Sequence, residues 1–249
     1  MKTGPDKTDN SVPRLEGIVN VDKPAGISSA RVVSVVKRLL PRGTKIGHAG
    51  TLDPFATGVL VLLVGKATRL CERLMDQPKA YDATLRLGAT TATDDPESPE
   101  QAIEGAVAPD RARVEQVVGQ FVGMILQKPP VYSAMKVGGR RAYDLARRGE
   151  QVQLQPRPVR VDAIEIVAYD WPTLRVSVRC GRGTYIRSLA RDIGAALGTG
   201  AYLTELRRTQ VGPFSTDEAV GLEQLREDGV ERWLIRPEEV GLGGGKAAE

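Results

Sequence analysis

Asp53 is the residue of this chain best placed to do chemistry. It precedes Pro54 and follows His48, the only histidine among 249 residues, in the stretch Gly47-His48-Ala49-Gly50-Thr51-Leu52-Asp53-Pro54-Phe55-Ala56-Thr57-Gly58-Val59-Leu60. Proline disfavours the helical region for the residue before it. Gly47, Gly50 and Gly58 permit positive φ or a close approach of another chain. Asp53 is therefore expected on a rigid turn. The apolar run Val59 to Val64 that follows predicts a buried strand. A carboxylate on a turn that feeds a buried strand is held by the scaffold and presented by the turn. An Asp-Pro pair alone is ordinary turn chemistry, so the flanking residues must decide. Glycoside hydrolysis would need a second acid about 5 to 9 Å away, and no other acid here stands in a comparable setting.

The elements that must hold this loop follow in order. Leu15 to Val21 has strand-like apolar density, and Asp22-Lys23-Pro24-Ala25-Gly26 makes a turn. Lys23 reads either as a catalytic or phosphate-binding cation or as a packing residue of that turn. Ser28 or Ser29 caps a helix with Val32, Val33, Val35, Val36, Leu39 and Leu40 on its apolar face, and Pro41 stops it. Ala67 to Met75 predicts a short helix, Lys79 to Gly88 an alternating strand that carries Tyr81, and Pro109 to Gly119 a helix starting near Asp110. Gly138-Gly139 precedes Arg140-Arg141 and, seven residues on, Arg147-Arg148. Paired guanidinium groups on a short helix after a glycine hinge suit phosphates. Val159 to Tyr169 and Thr173 to Cys180 alternate and predict an antiparallel hairpin. Gly181-Arg182-Gly183 opens a helix with Tyr185 and Arg187 near its N-terminus, where arginine makes a ready anion site. Ala201 to Val211 reads as a strand, Asp217 to Glu227 as an acidic helix. Residues 1–13 read as a disordered tail and Gly241 to Glu249 as a loose one. Strands and helices do not alternate strictly, which favours an α+β fold with a mixed, mainly antiparallel sheet.

Composition narrows the function classes. Hydrophobic content of 41% and charged content of 27% are those of a water-soluble globular protein. No apolar run reaches membrane-spanning length, and the N-terminus has no signal-peptide core. Cys71 and Cys180, with one histidine and no CxxC, argue against a zinc cluster and fit a cytoplasmic address with both thiols reduced. Gln120 to Gln210 holds 15 Lys+Arg against 7 Asp+Glu, a local +8 within a total of +4, so the rest carries −4. Such segregation points to a basic face for a polyanion.

Ten of the fourteen residues in Gly-His-x-Gly-x-Leu-Asp-Pro-x-Ala-x-Gly-Val-Leu resemble the catalytic motif of the TruB family of pseudouridine synthases. The resemblance runs on through Asp22-Lys23-Pro24-x-Gly26-x-Ser28-Ser29, Lys79-x-Tyr81, Gln127-x-Pro129-Pro130-x-Tyr132-Ser133-Ala134, Cys180-x-x-Gly183-Thr184-Tyr185-Ile186-Arg187-Ser188-Leu189 and Leu203-x-x-Leu206-Arg207-Arg208. It covers roughly Leu15 to Gln210.

The resemblance implies the pseudouridine synthase fold and isomerisation of the T-loop uridine at tRNA position 55, with no cofactor and no metal. It implies Asp53 as catalytic carboxylate, Arg187 as its ion-pair partner, Tyr81 stacked on a flipped base, Tyr185 as a second pocket residue and Leu206 closing the pocket. His48 is implied as an RNA-contacting or base-displacing residue. Asp95 aligns with an acidic turn that contacts RNA, although the sequence departs after it as Pro96-Glu97-Ser98-Pro99. Arg140, Arg141, Arg147 and Arg148 fall in a thumb-like insertion, about 127–150, that grips the tRNA T arm. The implied organisation is a catalytic domain over 14–214 and a short extension over 215–249, with the small C-terminal RNA-binding domain of many bacterial members absent or vestigial. A monomer with no membrane association and no obligate protein partner follows. Two alternatives remain: a non-catalytic tRNA-binding or folding protein, and the catalytic subunit of a guide-dependent synthase acting on ribosomal RNA.

Overall fold

The computed structural model describes residues 15–130, 136–137, 140–141 and 154–242. One large sheet organises them. Strand β1 (Gly17–Lys23) pairs antiparallel with β3 (Thr57–Val64), which runs parallel to β12 (Ala201–Val211). Beyond β12 come β4 (Lys79–Leu87), β11 (Thr173–Cys180), β10 (Arg157–Asp170) and β7 (Gly123–Gln127), each pair antiparallel. Short β2 (Ile46–His48) adds to β3, and β13 (Phe214–Ser215) adds to β12. β5 (Ala89–Thr90) and β6 (Gln101–Ala102) form a separate small pair. This is the α+β, mixed but mainly antiparallel architecture expected.

The continuous apolar run of β3 has a packing reason. Leu60, Leu62 and Val64 face one cluster with Val19, Val21 and helix α1 (Ser29–Lys37), while Val59, Val61 and Leu63 face another with Ile18, Leu74 and Phe214. A strand covered on both faces has no use for alternation. β4 has one covered face and alternates, with Tyr81, Ala83, Leu85 and Leu87 buried against helices α3 (Arg111–Gly119) and α4 (Ile186–Leu197). Helix starts follow their caps: Ser28 Oγ accepts from Arg31 N–H, and Asp110 Oδ1 accepts from Arg113 N–H at 2.7 Å.

Several expectations shift. Ala67 to Met75 divides into a 3-10 turn over Gly65–Leu70 and the short helix α2 (Cys71–Met75). The acidic helix is α5 (Leu222–Asp228), shorter and later than read, because its buried Leu225 packs with Val220 and Val230 against β1. The segment after β13 is laid along the sheet, with single bridges from Val220 to Val21 and from Ile235 to Ile18. Leu242, assigned to the loose tail, is 4% exposed and packs beside Val211 and Phe214. Arg140–Arg141 (β9) pair as a strand with Lys136–Val137 (β8), not as a helix after a hinge. Arg147, Arg148 and residues 1–13 lie outside the described residues.

Candidate active site

Asp53 sits on the irregular loop between β2 and β3, and buried polar side chains from three elements fix its backbone. Ser29, the first residue of α1, donates from Oγ to Leu52 O at 2.9 Å and accepts from Leu52 N–H at 2.8 Å. Lys23, at the end of β1, donates to Pro54 O at 3.1 Å and to Pro24 O and Ile27 O at 2.8 Å each. Arg208, in β12, donates from Nη2 to Gly50 O and from Nε to Val59 O, at 3.1 and 2.7 Å. The loop is thus held on both sides of the carboxylate. Gly58, at φ 99°, lies where β12 comes closest: a Cβ there would meet Arg208 O at 2.2 Å.

The Asp53 carboxylate meets Arg187 on the first turn of α4. Arg187 Nε lies 3.0 Å from Oδ2, and Nη2 donates to Oδ1 at 3.3 Å. The guanidinium is 4% exposed and its far side is also anchored, Nη1 donating to Asp95 Oδ2 at 3.1 Å and to Thr93 O at 2.9 Å. Asp95 in turn accepts from the Thr93 hydroxyl and from Glu97 N–H. A two-point contact to an arginine clamped from behind leaves Asp53 little orientational freedom. Burial pushes the Asp53 carboxyl above the ordinary aspartate range; Arg187 and, more weakly, Lys23 pull it back, while Asp95 adds to the rise. A carboxylate in that balance is more basic and more nucleophilic than a solvated one.

Asp53 opens into a cavity of about 370 Å³ whose lining includes Tyr81, Tyr185, Arg187, Leu206 and Arg208. Tyr81 comes from the covered face of β4 and is 7% exposed; burial raises its phenol, and Arg208 opposes the rise. Tyr185 is fixed by a reciprocal pair with Gln127, its N–H donating to Oε1 at 2.8 Å and its carbonyl accepting from Nε2 at 3.1 Å. Arg157 lies 5.6 Å above its ring, and Leu206 closes the side toward β4 and β12. Five residues inferred from sequence therefore meet: Asp53, Tyr81, Tyr185, Arg187 and Leu206.

Three other candidates, Lys23, Asp95 and His48, stand outside this group. Lys23 is 0% exposed and its ammonium donates to three carbonyls, the packing alternative of its two readings. Asp95 is 2% exposed and pairs with Arg187 inside the protein. His48 stands on β2 opposite Leu62, outside the lining of the Asp53 cavity. Residues that the sequence reading passed over include Arg208, Ser29 and Lys79. Lys79 donates to Met75 O and Gln77 O at 2.7 Å each, and burial lowers it to about 8. Lys79 and Arg208 had a signal in their motifs, but spacing cannot show which carbonyls a cation will find. Around the cavity, four buried cations (Lys23, Lys79, Arg187 and Arg208) outnumber Asp53 and Asp95. That surplus suits an anionic ligand.

Comparison with known proteins follows the same line. The TruB family pseudouridylate synthase N-terminal domain matches residues 37–186, and the tRNA pseudouridylate synthase B C-terminal domain matches 187–239. The boundary between them falls at the start of α4, and the second match takes in α4, β12 and α5, which share one folded unit with the rest. The tRNA pseudouridine synthase B of Xanthomonas euvesicatoria pv. vesicatoria (strain 85-10) is 46% identical over 236 residues, covering 92% of this chain and 76% of its own. That of Corynebacterium aurimucosum is 47% identical over 215 residues, covering 85% and 72%. Among solved structures, a chain of a Cbf5-Nop10-Gar1 complex superposes with a TM-score of 0.68 at 32% identity, covering 90% of this chain, which spans 61% of that one. A chain of an H/ACA RNP bound to a substrate RNA containing 2′-deoxyuridine gives a TM-score of 0.65 at 28% identity, covering 94% of this chain and 68% of its own.

Proposed function

We propose that this chain, which belongs to the TruB family of pseudouridylate synthases, is a tRNA pseudouridine synthase that isomerises the T-loop uridine at position 55. The observation that carries the reading is the Asp53 carboxylate, held at two points by a buried arginine, facing a cavity walled by two tyrosines and a leucine. The relatives named tRNA pseudouridine synthase B supply the substrate class.

The reaction breaks the C1′–N1 bond, turns the uracil and forms a C1′–C5 bond; C5 loses a proton and N1 gains one. No electrons or groups are exchanged with a second reactant, so the balance needs no cofactor or metal. Asp53 acts as nucleophile at C1′ or on the base, or as base toward the sugar, and Arg187 orients it for any of these. The uridine must leave its stack to reach a carboxylate at the bottom of a cavity, at a cost of about a few kcal/mol that wall contacts must offset. Tyr81 supplies the stacking face, Tyr185 the second wall and Leu206 the closure. The Arg140, Arg141, Arg147 and Arg148 set contacts phosphates of the T arm. The enzyme acts as a cytoplasmic monomer without an obligate protein partner; no helix among the described residues is long and apolar enough to cross a membrane.

The test is incubation of the purified chain with an unmodified tRNA transcript, without guide RNA or other protein, followed by mapping of pseudouridine. Product at position 55 is expected. Product only after a guide RNA is added would favour the guide-dependent alternative, and tRNA binding without product the non-catalytic one.

A further inference from the structure

We infer that Arg208 is a positioning residue that holds the Asp53 loop and Tyr81 together as one unit. The inference rests on the catalytic reading above and adds to it a residue that need not touch the RNA. Arg208 is 1% exposed and stands on β12, the strand between the two that carry the site. Its register partner in β4 is Tyr81 and its parallel partner in β3 is Gly58. Its side chain bonds to the loop that leads into β3 and to β3 itself. Nε donates to Val59 O at 2.7 Å, Nη2 to Gly50 O at 3.1 Å and Nη1 to Thr51 O at 3.4 Å, and the guanidinium lines the same cavity as Tyr81, whose phenol its charge favours in the ionised form.

The cost of this arrangement argues for its purpose. Among the described residues no carboxylate pairs with Arg208. A buried cation without a counter-ion is expensive, and an apolar side chain of similar volume would fill the space without that cost. What an apolar residue cannot do is donate to carbonyls that point inward. Gly50 and Gly58 take φ of 105° and 99°, bending the loop back over β12 and turning the carbonyls of Gly50, Thr51 and Val59 toward one point. Only a forked, planar donor reaches three such carbonyls at once; a lysine ammonium is a single point. Arg208 is thus tied to Tyr81 by strand register and to the Asp53 loop by its side chain, so the relative placement of Asp53 and Tyr81 inside the cavity depends on it.

The test compares Arg208→Lys, which keeps the charge, and Arg208→Gln with the wild-type chain. It measures single-turnover rate and affinity for one tRNA, and backbone hydrogen exchange without RNA. Misplacing catalytic groups by about 1 Å can cost about 100-fold. The rate should fall about 10- to 100-fold in Arg208→Lys and further in Arg208→Gln, with affinity within about threefold. Arg208→Lys should cost much less in a Tyr81→Phe background than in wild type, because the guanidinium and the phenol line the cavity side by side on register partners. Exchange should accelerate in residues 50–59 and around Tyr81 while α3 keeps its protection. If Arg208→Gln does not fold, Arg208→Lys carries the test. Equal losses of rate and affinity, additive effects with Tyr81→Phe, or unchanged exchange in the loop would each overturn the proposal. The exchange result judges it even if the wild-type chain proves inactive on tRNA, an outcome that would overturn the functional reading alone.

Discussion

Replacing Asp53 by asparagine should remove activity and stabilise the fold. Asparagine keeps the shape of the side chain and removes its charge. Burial holds the Asp53 carboxyl above its ordinary range even though Arg187 stands 3.0 Å away, so desolvation outweighs pairing in the folded state. A carboxyl whose folded pKa lies above its unfolded value contributes most below the unfolded value, near 4, and that contribution is lost as pH rises through the folded value. At neutral pH the ionised group is thus a net cost. Its side chain keeps 33% exposure, so water limits that cost, and the gain on substitution should be about 0.5–1 kcal/mol. For a chain of this size that is a rise in Tm of roughly 1–4 °C. Arg187 is not orphaned, since Asp95 still holds Nη1 at 3.1 Å. Thermal melts of both proteins from pH 4.5 to 8 should give a difference that grows with pH and then levels, beside a pseudouridine assay in which Asp53→Asn forms no product and binds tRNA within a few-fold. Substantial turnover by the variant, or a loss of more than about 1 kcal/mol at pH 8, would refute the reasoning.

Other perturbations probe the parts separately. Tyr81→Phe should keep most of the stacking, and Tyr81→Ala should lose about 1–3 kcal/mol of it in single-turnover kcat/KM; if both react like wild type, Tyr81 is only core. Asp95→Asn strips the rear anchor from a buried guanidinium that Asp53 still pairs, and should cost about 1–3 kcal/mol in denaturant melts, with a fall in rate that asparagine's shape does not prevent; a loss below about 1 kcal/mol would mean Thr93 O suffices. Neutralising Arg140 and Arg141 together should weaken tRNA binding and flatten its salt dependence by up to about two units of slope; an unchanged slope returns them to ordinary surface. Lys23 is lowered to about 8 by burial, so the unfolded chain binds more protons than the folded one between about pH 8 and 10, and stability should rise with pH there. Lys23→Met should lessen that rise in melts over this window, leaving the part due to Lys79, also lowered to about 8 by burial, and an equally steep rise would remove Lys23 as a source.

How much of this could be read from the sequence depends on what each residue's place depends on. The uninterrupted apolar run of β3 and the alternation of β4 report local burial on two faces or one, and both are patterns in the chain itself. The Asp53 turn is set by its own neighbours, Pro54 and the glycines. The charged residues are different. Sequence reading leaves Lys23 between phosphate and packing, sets Asp95 on an RNA-facing turn and gives Arg208 no role, yet each is at most 2% exposed. Their partners include Pro54 O, Arg187 and Gly50 O, separated from them by 31, 92 and 158 residues. No periodicity encodes such distances. The resemblance to a family located the motifs that hold Lys23 and Arg208, but a motif does not say whether a cation serves the ligand or the loop.

That division has a physical consequence for the site. The Asp53 loop cannot be held by apolar packing alone, because an irregular loop leaves inward carbonyls that must find donors. Lys23 and Arg208 supply them, one on each side of the carboxylate. Using cations for this task fixes the loop and builds a positive field beneath the cavity in a single step. The field favours an approaching polyanion, while Arg187 and Asp95 together keep it from freeing Asp53 to turn toward the lysine. Removing either cation should therefore disturb geometry and field together. Removing Asp53 leaves both in place, which is why that variant is expected to keep its fold and its RNA and lose only the chemistry.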